Sequence, residues 1–210
     1  MNFPNATFDF IKYILGARKA FTHDTPDELR FLSQLADNKV CVIEVGVFEG
    51  VASSYLCRTM DPNGLLYLVD PYFKELKIEK ILRFSRTELI AKRTLRPWRA
   101  RVSFVKDTSI NAANQLKLGD TADLIFIDAR HDYDSVLEDF RCWASVLSNN
   151  GMIAFHDSRE CEARPDLNRS VGPVQLCNEI AQGKHGNWKI VDHVDSITVI
   201  SKTNADLVGK

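Results

Sequence analysis

The sequence predicts an α/β protein: five parallel strands closed by a C-terminal antiparallel hairpin and preceded by N-terminal helices. Three observations carry this. Short, nearly continuous apolar runs recur from Val40 onward, as expected of strands buried on both faces of a parallel sheet. Helical patterns separate those runs. The last two runs, "WKIVDHV" and "SITVIS", are separated only by Asp195, which leaves no room for a crossover helix and makes them a hairpin.

In chain order, the first residues read as helices. "FDFIKYILGARKAF" (8–21) carries apolar residues at 8, 10, 11, 14, 15 and 21, an amphipathic stripe. "TPDELRFLSQLAD" (25–37) opens with Thr25 as N-cap, Pro26 at the first helical position and Glu28 completing a capping box. The strands follow as "VCVIEVG" (40–46), "LLYLVD" (65–70), "VSFV" (102–105), "DLIFID" (123–128) and "MIAFHD" (152–157). Helical patterns lie near 50–60, 73–95, 108–117 and 132–147, and such alternation builds a doubly wound sheet with right-handed crossovers. No repeat or linker divides the 210 residues. One domain over 1–210 is expected, with helices over 1–39 and a ligand-binding core over 40–202.

Composition excludes several function classes. A net charge of −1 gives no electrostatic case for nucleic acid or an anionic membrane surface. No apolar run approaches the ~18 residues needed to span a bilayer, and "MNFPNATFDF" lacks the pattern of a secretory signal. Five scattered cysteines (41, 57, 142, 161, 177) contain no C-x-x-C pair. That argues against a disulfide framework or structural zinc and for a reducing, cytoplasmic location. Cys41 and Cys57, in apolar segments, are expected as small core residues. Between Tyr72 and Arg101, ten Lys/Arg face three Glu. That segment reads either as a solvated helical face or as a lid or docking surface for an anionic substrate or partner.

In open α/β sheets, ligands bind beyond the carboxyl ends of the strands. Glu44, Asp70, Asp128, His156 and Asp157 stand at those ends, more polar residues than helix capping accounts for. In "VIEVGVFEGVASSYL", Gly46 follows the first strand and Gly50 opens the helix, whose N-terminus, with Ser53 and Ser54, offers unpaired N–H groups. The G-x-G-x-x-G dinucleotide fingerprint is absent, because Phe48 and Val51 break it. Asp70, about twenty residues beyond the glycine turn, has the spacing of a ribose-binding carboxylate, although "DP" equally suits a turn. Asp107 and Thr108 lie where a nucleoside base would, although "KDTS" equally suits an N-cap.

In "DLIFIDARHDYDSVLEDF" (123–140) a buried strand stops on Asp128 and His131 follows three residues later. A cap and a surface histidine would be the plain alternative; the "HD" ending the neighbouring strand at 156–157 favours a joint site. Tyr133, Val136, Leu137, Phe140, Trp143 and Leu147 form a stripe packing the helix onto the sheet, with Trp143 in the core. His23 is expected exposed, His185 in a loop and His193 on a strand. Residues 158–173 lack apolar periodicity and read as a substrate-contacting loop or mobile lid. Its Arg159, Arg164 and Arg169, with the basic segment, favour an acceptor carrying phosphate or carboxylate.

These residues resemble the class I S-adenosylmethionine-dependent methyltransferases, whose sheet is Rossmann-like. More narrowly, they resemble the metal-dependent O-methyltransferase branch, with macrocin- and mycinamicin-type sugar O-methyltransferases (methyltransferase domain family 24) and, more distantly, catechol O-methyltransferase. The resemblance covers Val40 to Lys202 and rests on "VIEVGVFEG", "LYLVDP" and "FIDARHDYDSVLEDFRCWASVLSNNGMIAFHD". Gly151 stands where two glycines are usual, and Asn150 replaces the first.

The resemblance implies roles. Glu44, Gly46, Phe48, Gly50 and Ser53 would line the methionine half of S-adenosylmethionine, with Asp70 on the ribose and Asp107 and Thr108 by the adenine. Asp128 would lie under the sulfonium methyl and, with Asp157, bind a divalent metal, Mg²⁺ or Mn²⁺. His156 or Ser158 would complete that set, and an imidazole there suits Mn²⁺, Fe²⁺ or Zn²⁺ better than Mg²⁺. His131 would be the general base for a small hydroxylated acceptor, whether a sugar, a phenol or another natural product. The competing readings are a metal-independent methyltransferase, a non-catalytic scaffold of the same fold and a nicotinamide oxidoreductase. The N-terminal helices offer a surface for a homodimer.

Overall fold

A computed structural model describes residues 6–74, 76–168 and 170–203. The five apolar runs form strands β1 (Cys41–Val45), β2 (Leu65–Val69), β3 (Val102–Val105), β4 (Ala122–Ile127) and β5 (Leu147–Phe155). The C-terminal hairpin is β6 (Trp188–Val194) and β7 (Ile197–Lys202). All seven join one sheet in the order β3-β2-β1-β4-β5-β7-β6. The first five are parallel, and β7 runs antiparallel to both β5 and β6. The second hairpin strand, rather than the first, therefore lies against β5. Strand order reverses at β1, so the ends of β1 and β4 flank the switch point where open α/β sheets bind ligands.

Alternate residues of the central strands face opposite helical layers. Val42, Leu66, Leu68, Leu124 and Phe126 pack with Leu32, Leu35 and Leu56 of α2 (Pro26–Leu35) and α3 (Val51–Thr59). Ile43, Ile125, Ile153 and Phe155 pack with Phe140, Trp143 and Leu176 of α7 (Tyr133–Ala144) and α8 (Gly172–Ala181). Trp143 and Cys57 are fully buried, as expected of core residues, whereas Cys41 is only half-buried. The Thr25–Glu28 capping box forms at the start of α2. Among the described residues, no helix is long and apolar enough to cross a membrane.

Four elements differ from the sequence pattern. The first helix, α1 (Ala6–Ile14), stops before Gly16, which takes φ +74°. Its apolar stripe does not reach the core: Phe8, Ile11, Ile14 and Leu15 stay exposed. The pattern over 73–95 breaks into α4 (Lys77–Leu82) and α5 (Arg86–Thr94), because Arg83 at φ +55° ends the first helix and Ser85 caps the second. Helix α8 begins within the stretch read as a loop. Strand β5 begins at Leu147, through polar residues that its apolar run left out. Between β3 and β4 lies α6 (Ser109–Leu116), where a helix was expected.

The pairing of β5 with β4 shifts register between Ala122 and Leu124. Gly151 sits at this irregularity, and a Cβ there would lie 2.7 Å from the Ala122 carbonyl oxygen and from the Leu147 side chain. The retained glycine thus has a steric reason, whereas Asn150 is exposed. Gly151→Ala should cost about 1–3 kcal/mol, the usual range for overpacking, read by urea unfolding. An unchanged midpoint would mean that the strand yields without cost.

Candidate functional site

Glu44 is the first polar group at the switch point, 1% exposed near the end of β1. Burial pushes its carboxyl well above the usual range, opposed by the Ser53 hydroxyl. Two residues on, Gly46 turns the chain at φ +89°. A Cβ there would lie 1.9 Å from the Asp128 carbonyl oxygen, so only glycine lets the β1 turn touch the end of β4. The Asp70 carboxylate fastens the turn to β2. It accepts hydrogen bonds from the backbone N–H groups of Val47 (3.0 Å), Phe48 (3.2 Å) and Tyr72 (2.6 Å). Three of its roughly four lone-pair sites are thereby used, leaving about one for a ligand hydroxyl.

These ends open into a cavity of about 870 Å³, within the range of small-molecule sites. Glu44, Gly46, Phe48, Asp70, Thr108, Asp128 and His131 all line it. Gly50, Ser53 and Asp107 do not. A Cβ on Gly50 would lie 3.2 Å from Ala91 of α5, and Ser53 Oγ, like Glu44 Oε2, is buried without a hydrogen bond. Asp107 is half-buried and turned back on α6, accepting from the Thr108 N–H (2.7 Å) and the side chains of Asn111 (2.9 Å) and Gln115 (2.9 Å). Thr108 holds the N-cap position, with no side-chain cap hydrogen bond.

Asp128 meets His156 behind the cavity wall. The imidazole is 2% exposed, with Nδ1 3.2 Å from Asp128 and 3.5 Å from Asp157. Its Nε2 lies 3.5 Å from both Asp24 and Glu28. None of these approaches has hydrogen-bond geometry, and both ring nitrogens and Asp24 Oδ1 are buried without a partner. Burial opposes protonation of His156, but the Asp128 charge and the other carboxylates push its pKa well above the histidine range. Burial, reinforced by Asp128, pushes the Asp24 carboxyl up.

One ligand atom from each of Asp24, Asp128 and His156 lies within 4.8 Å of the others. Mutually close, with Asp24 Oδ1 and both His156 nitrogens buried and unpartnered and Asp128 on the cavity wall, this set fits a divalent cation. Two carboxylates with an imidazole suit Mn²⁺, Fe²⁺ or Zn²⁺ better than Mg²⁺. Asp157 has other company. At φ +50°, it lies between His131 Nε2 (2.9 Å) and the Arg164 guanidinium. Burial raises its pKa, but those two bonds outweigh it and hold the carboxyl below the usual range. Ser158 Oγ lies 2.9 Å from the carbonyls of Phe155 and Ser196, to which it donates. His131 is half-exposed, and its bond to Asp157 raises its pKa above 6.5.

Sequence reasoning missed Asp24 and the second role of Glu28. Asp24 comes from the N-terminal segment, where "HDTPDE" carried only a capping signal. Glu28 completes the capping box through Oε2, while its Oε1 accepts from the Ser196 N–H (2.9 Å) in the hairpin turn. Phe21, His23 and Arg86 also line the cavity; His23 is exposed as expected. Arg159 is half-buried and does not line the cavity, Arg164 is spent on Asp157 and Asp166, and Arg169 lies outside the described residues.

Solved structures share this fold at low identity. A Corynebacterium glutamicum protein matches with TM-score 0.65 and 15% identity, over 96% of this chain and 99% of that one. An O-methyltransferase from Bacillus cereus, in complex with S-adenosylhomocysteine, matches with TM-score 0.64 and 16% identity, over 93% and 90%. The O-methyltransferase TomG of Streptomyces achromogenes, involved in tomaymycin synthesis and in complex with S-adenosylmethionine, matches with TM-score 0.60 and 16% identity, over 84% and 80%. No curated protein sequence matches the chain. A family model described as a methyltransferase domain covers residues 43–158, more than half the sequence and every strand end that lines the cavity. The chain belongs to that methyltransferase-domain family.

Proposed function

We propose that this protein is an S-adenosylmethionine-dependent O-methyltransferase that uses a divalent cation and acts on a small hydroxylated acceptor. The observation that carries the reading is His131. It stands on the cavity rim, held by Asp157 at 2.9 Å, beside a wall built from Glu44, Gly46, Asp70 and Asp128. The solved O-methyltransferases with the same fold, two of them with the cofactor or its product bound, support it.

The cofactor supplies a methyl group on a positively charged sulfur. Asp70 and Asp128 give that part of the cavity negative charge, which favours a cation there. A divalent cation held by Asp24, Asp128 and His156 would lower the pKa of an acceptor hydroxyl and fix its oxygen. His131 donates through Nε2 to Asp157, which leaves Nδ1 to take the acceptor proton. Asp157 thus orients the base and raises its basicity. The acceptor oxygen forms its bond to the methyl carbon as the carbon–sulfur bond breaks, with both electrons leaving on sulfur. Much of the acceleration is expected from positioning in the cavity.

Since the His131 pKa is raised, the base is protonated and idle at low pH, and turnover should climb through a midpoint above 6.5. In Asp157→Asn that midpoint should move down and the maximum rate should fall. A profile unmoved by this substitution would remove Asp157 from the mechanism. His131→Ala should lose about 10²–10⁴-fold in turnover with cofactor affinity kept; wild-type turnover would refute the assignment. Transfer of labelled methyl from S-adenosylmethionine to a panel of sugars and phenols, measured after chelation and again after adding Mn²⁺, tests the whole reading. Transfer only with metal is expected, transfer that survives chelation selects the metal-independent reading, and no transfer to any acceptor counts against catalysis.

A further inference from the structure

Residues 15–25 cross the cavity between α1 and α2 without regular secondary structure. Phe21, Thr22, His23 and Asp24 supply one wall of the cavity, facing the strand ends. Two attachments hold this strap. Near its start, Arg18 forms a two-pronged ion pair with Glu49 of the β1–α3 turn (2.7 and 2.8 Å), and the Phe21 N–H donates to the same carboxylate. At its end, Thr25 caps α2 and its hydroxyl donates to Asp195 in the hairpin turn (2.5 Å). Between these, Asp24 is the residue that reaches inward. Its side chain is 3% exposed, and Oδ1 points without a hydrogen bond toward His156.

Asp128 and His156 are the first residues beyond adjacent strands paired to their ends at Ile127 and Phe155, and the His156 N–H still donates to the Ile127 carbonyl (3.0 Å), so the sheet sets their separation. The strap has no such support. Its middle is tied by side-chain contacts rather than a backbone ladder, the condition under which a segment opens locally. Gly16, at φ +74°, turns the chain out of α1 into the strap.

Resting on the reading above, we propose that the strap is a lid over the cavity and that a divalent cation fastens it shut through Asp24. Two ligands come from the rigid sheet and the third from the movable segment. The ion therefore binds the closed strap and not the open one, and closure and metal affinity rise together. The same closure covers the cofactor, so metal should slow its escape; to the extent that metal tightens cofactor binding, the cofactor should tighten metal binding by the same factor. Opening should fall by 1 + [M]/Kd, about 100-fold when the metal is at 100 times its Kd.

The test is hydrogen exchange by mass spectrometry on the metal-stripped full chain, with and without Mn²⁺ and with and without S-adenosylhomocysteine. Mn²⁺ alone should slow exchange of peptides covering 15–25 on the order of 100-fold at that saturation, and slow release of bound S-adenosylhomocysteine. Asp24→Asn should abolish both effects and weaken Mn²⁺ binding, while the circular dichroism and unfolding midpoint show it folded; Asp24→Ala repeats the test without an amide. Mn²⁺ that binds but leaves the strap's exchange unchanged overturns the lid, as does Mn²⁺ binding Asp24→Asn with wild-type affinity. Failure of S-adenosylhomocysteine to bind would instead strike the methyltransferase reading, since the strap's response to Mn²⁺ is scored without it.

Discussion

The buried imidazolium of His156 among four carboxylates is the constraint around which the rest of the site is arranged. Asp24, Glu28, Asp128 and Asp157 all lie within 3.5 Å of its ring nitrogens. A group of acids at such depth is costly unless cations compensate them. His156 supplies one positive charge, and Arg164 with His131 neutralises Asp157 from the other side. Five places in the chain are tied together by this demand: the N-terminal strap, the start of α2 that follows it, the end of β4, the end of β5, and the β6–β7 turn through Ser196. The orphaned atoms left over, Asp24 Oδ1 and both His156 nitrogens, are what a bound cation would satisfy. Its arrival would displace the imidazole proton, because a metal takes histidine neutral.

The centre of the sheet was legible in the sequence because β1, β2 and β4 are buried on both faces. Between its two aspartates, a run such as "DLIFID" has no polar residue to suggest a solvent face, and β1 to β4 fall within a residue or two of those runs. The first half of β5 was not legible, since Ser148, Asn149 and Asn150 reach an exposed edge of the pairing. For α1, the apolar stripe had the right period but no partner surface, and period alone does not bury a helix. The site divides the same way. Gly46 could be read because its backbone must approach another strand, and Asp128 and His131 because both follow one apolar run. Asp24 could not, because its neighbours come from distant segments and its local motif only announces a helix start.

The ambiguous residues fell on the side that satisfied the nearest backbone groups. Asp107 accepts from the Thr108 N–H just ahead of α6, and Asp70 holds the glycine turn while still facing the cavity. The basic segment follows the same logic. Arg101 donates to the carbonyls of Cys57 and Asp61 at the end of α3 (2.7 and 2.9 Å). Lys92 pairs with Glu88, and Arg93 lies over the Tyr13 ring. Arg101 and Arg93 thus link elements, Lys92 pairs within α5, and most of the other basic side chains are exposed; Arg86 alone among the segment's ten basic residues lines the cavity.

Calorimetric titration of the metal-stripped protein with S-adenosylhomocysteine, with NAD⁺ as the control ligand, tests most directly whether this carboxylate-lined cavity is built for a methyl donor. The account requires saturable binding of S-adenosylhomocysteine and none of NAD⁺, with Asp70→Ala weakening the first. Binding of NAD⁺ in its place, or of neither, would contradict it.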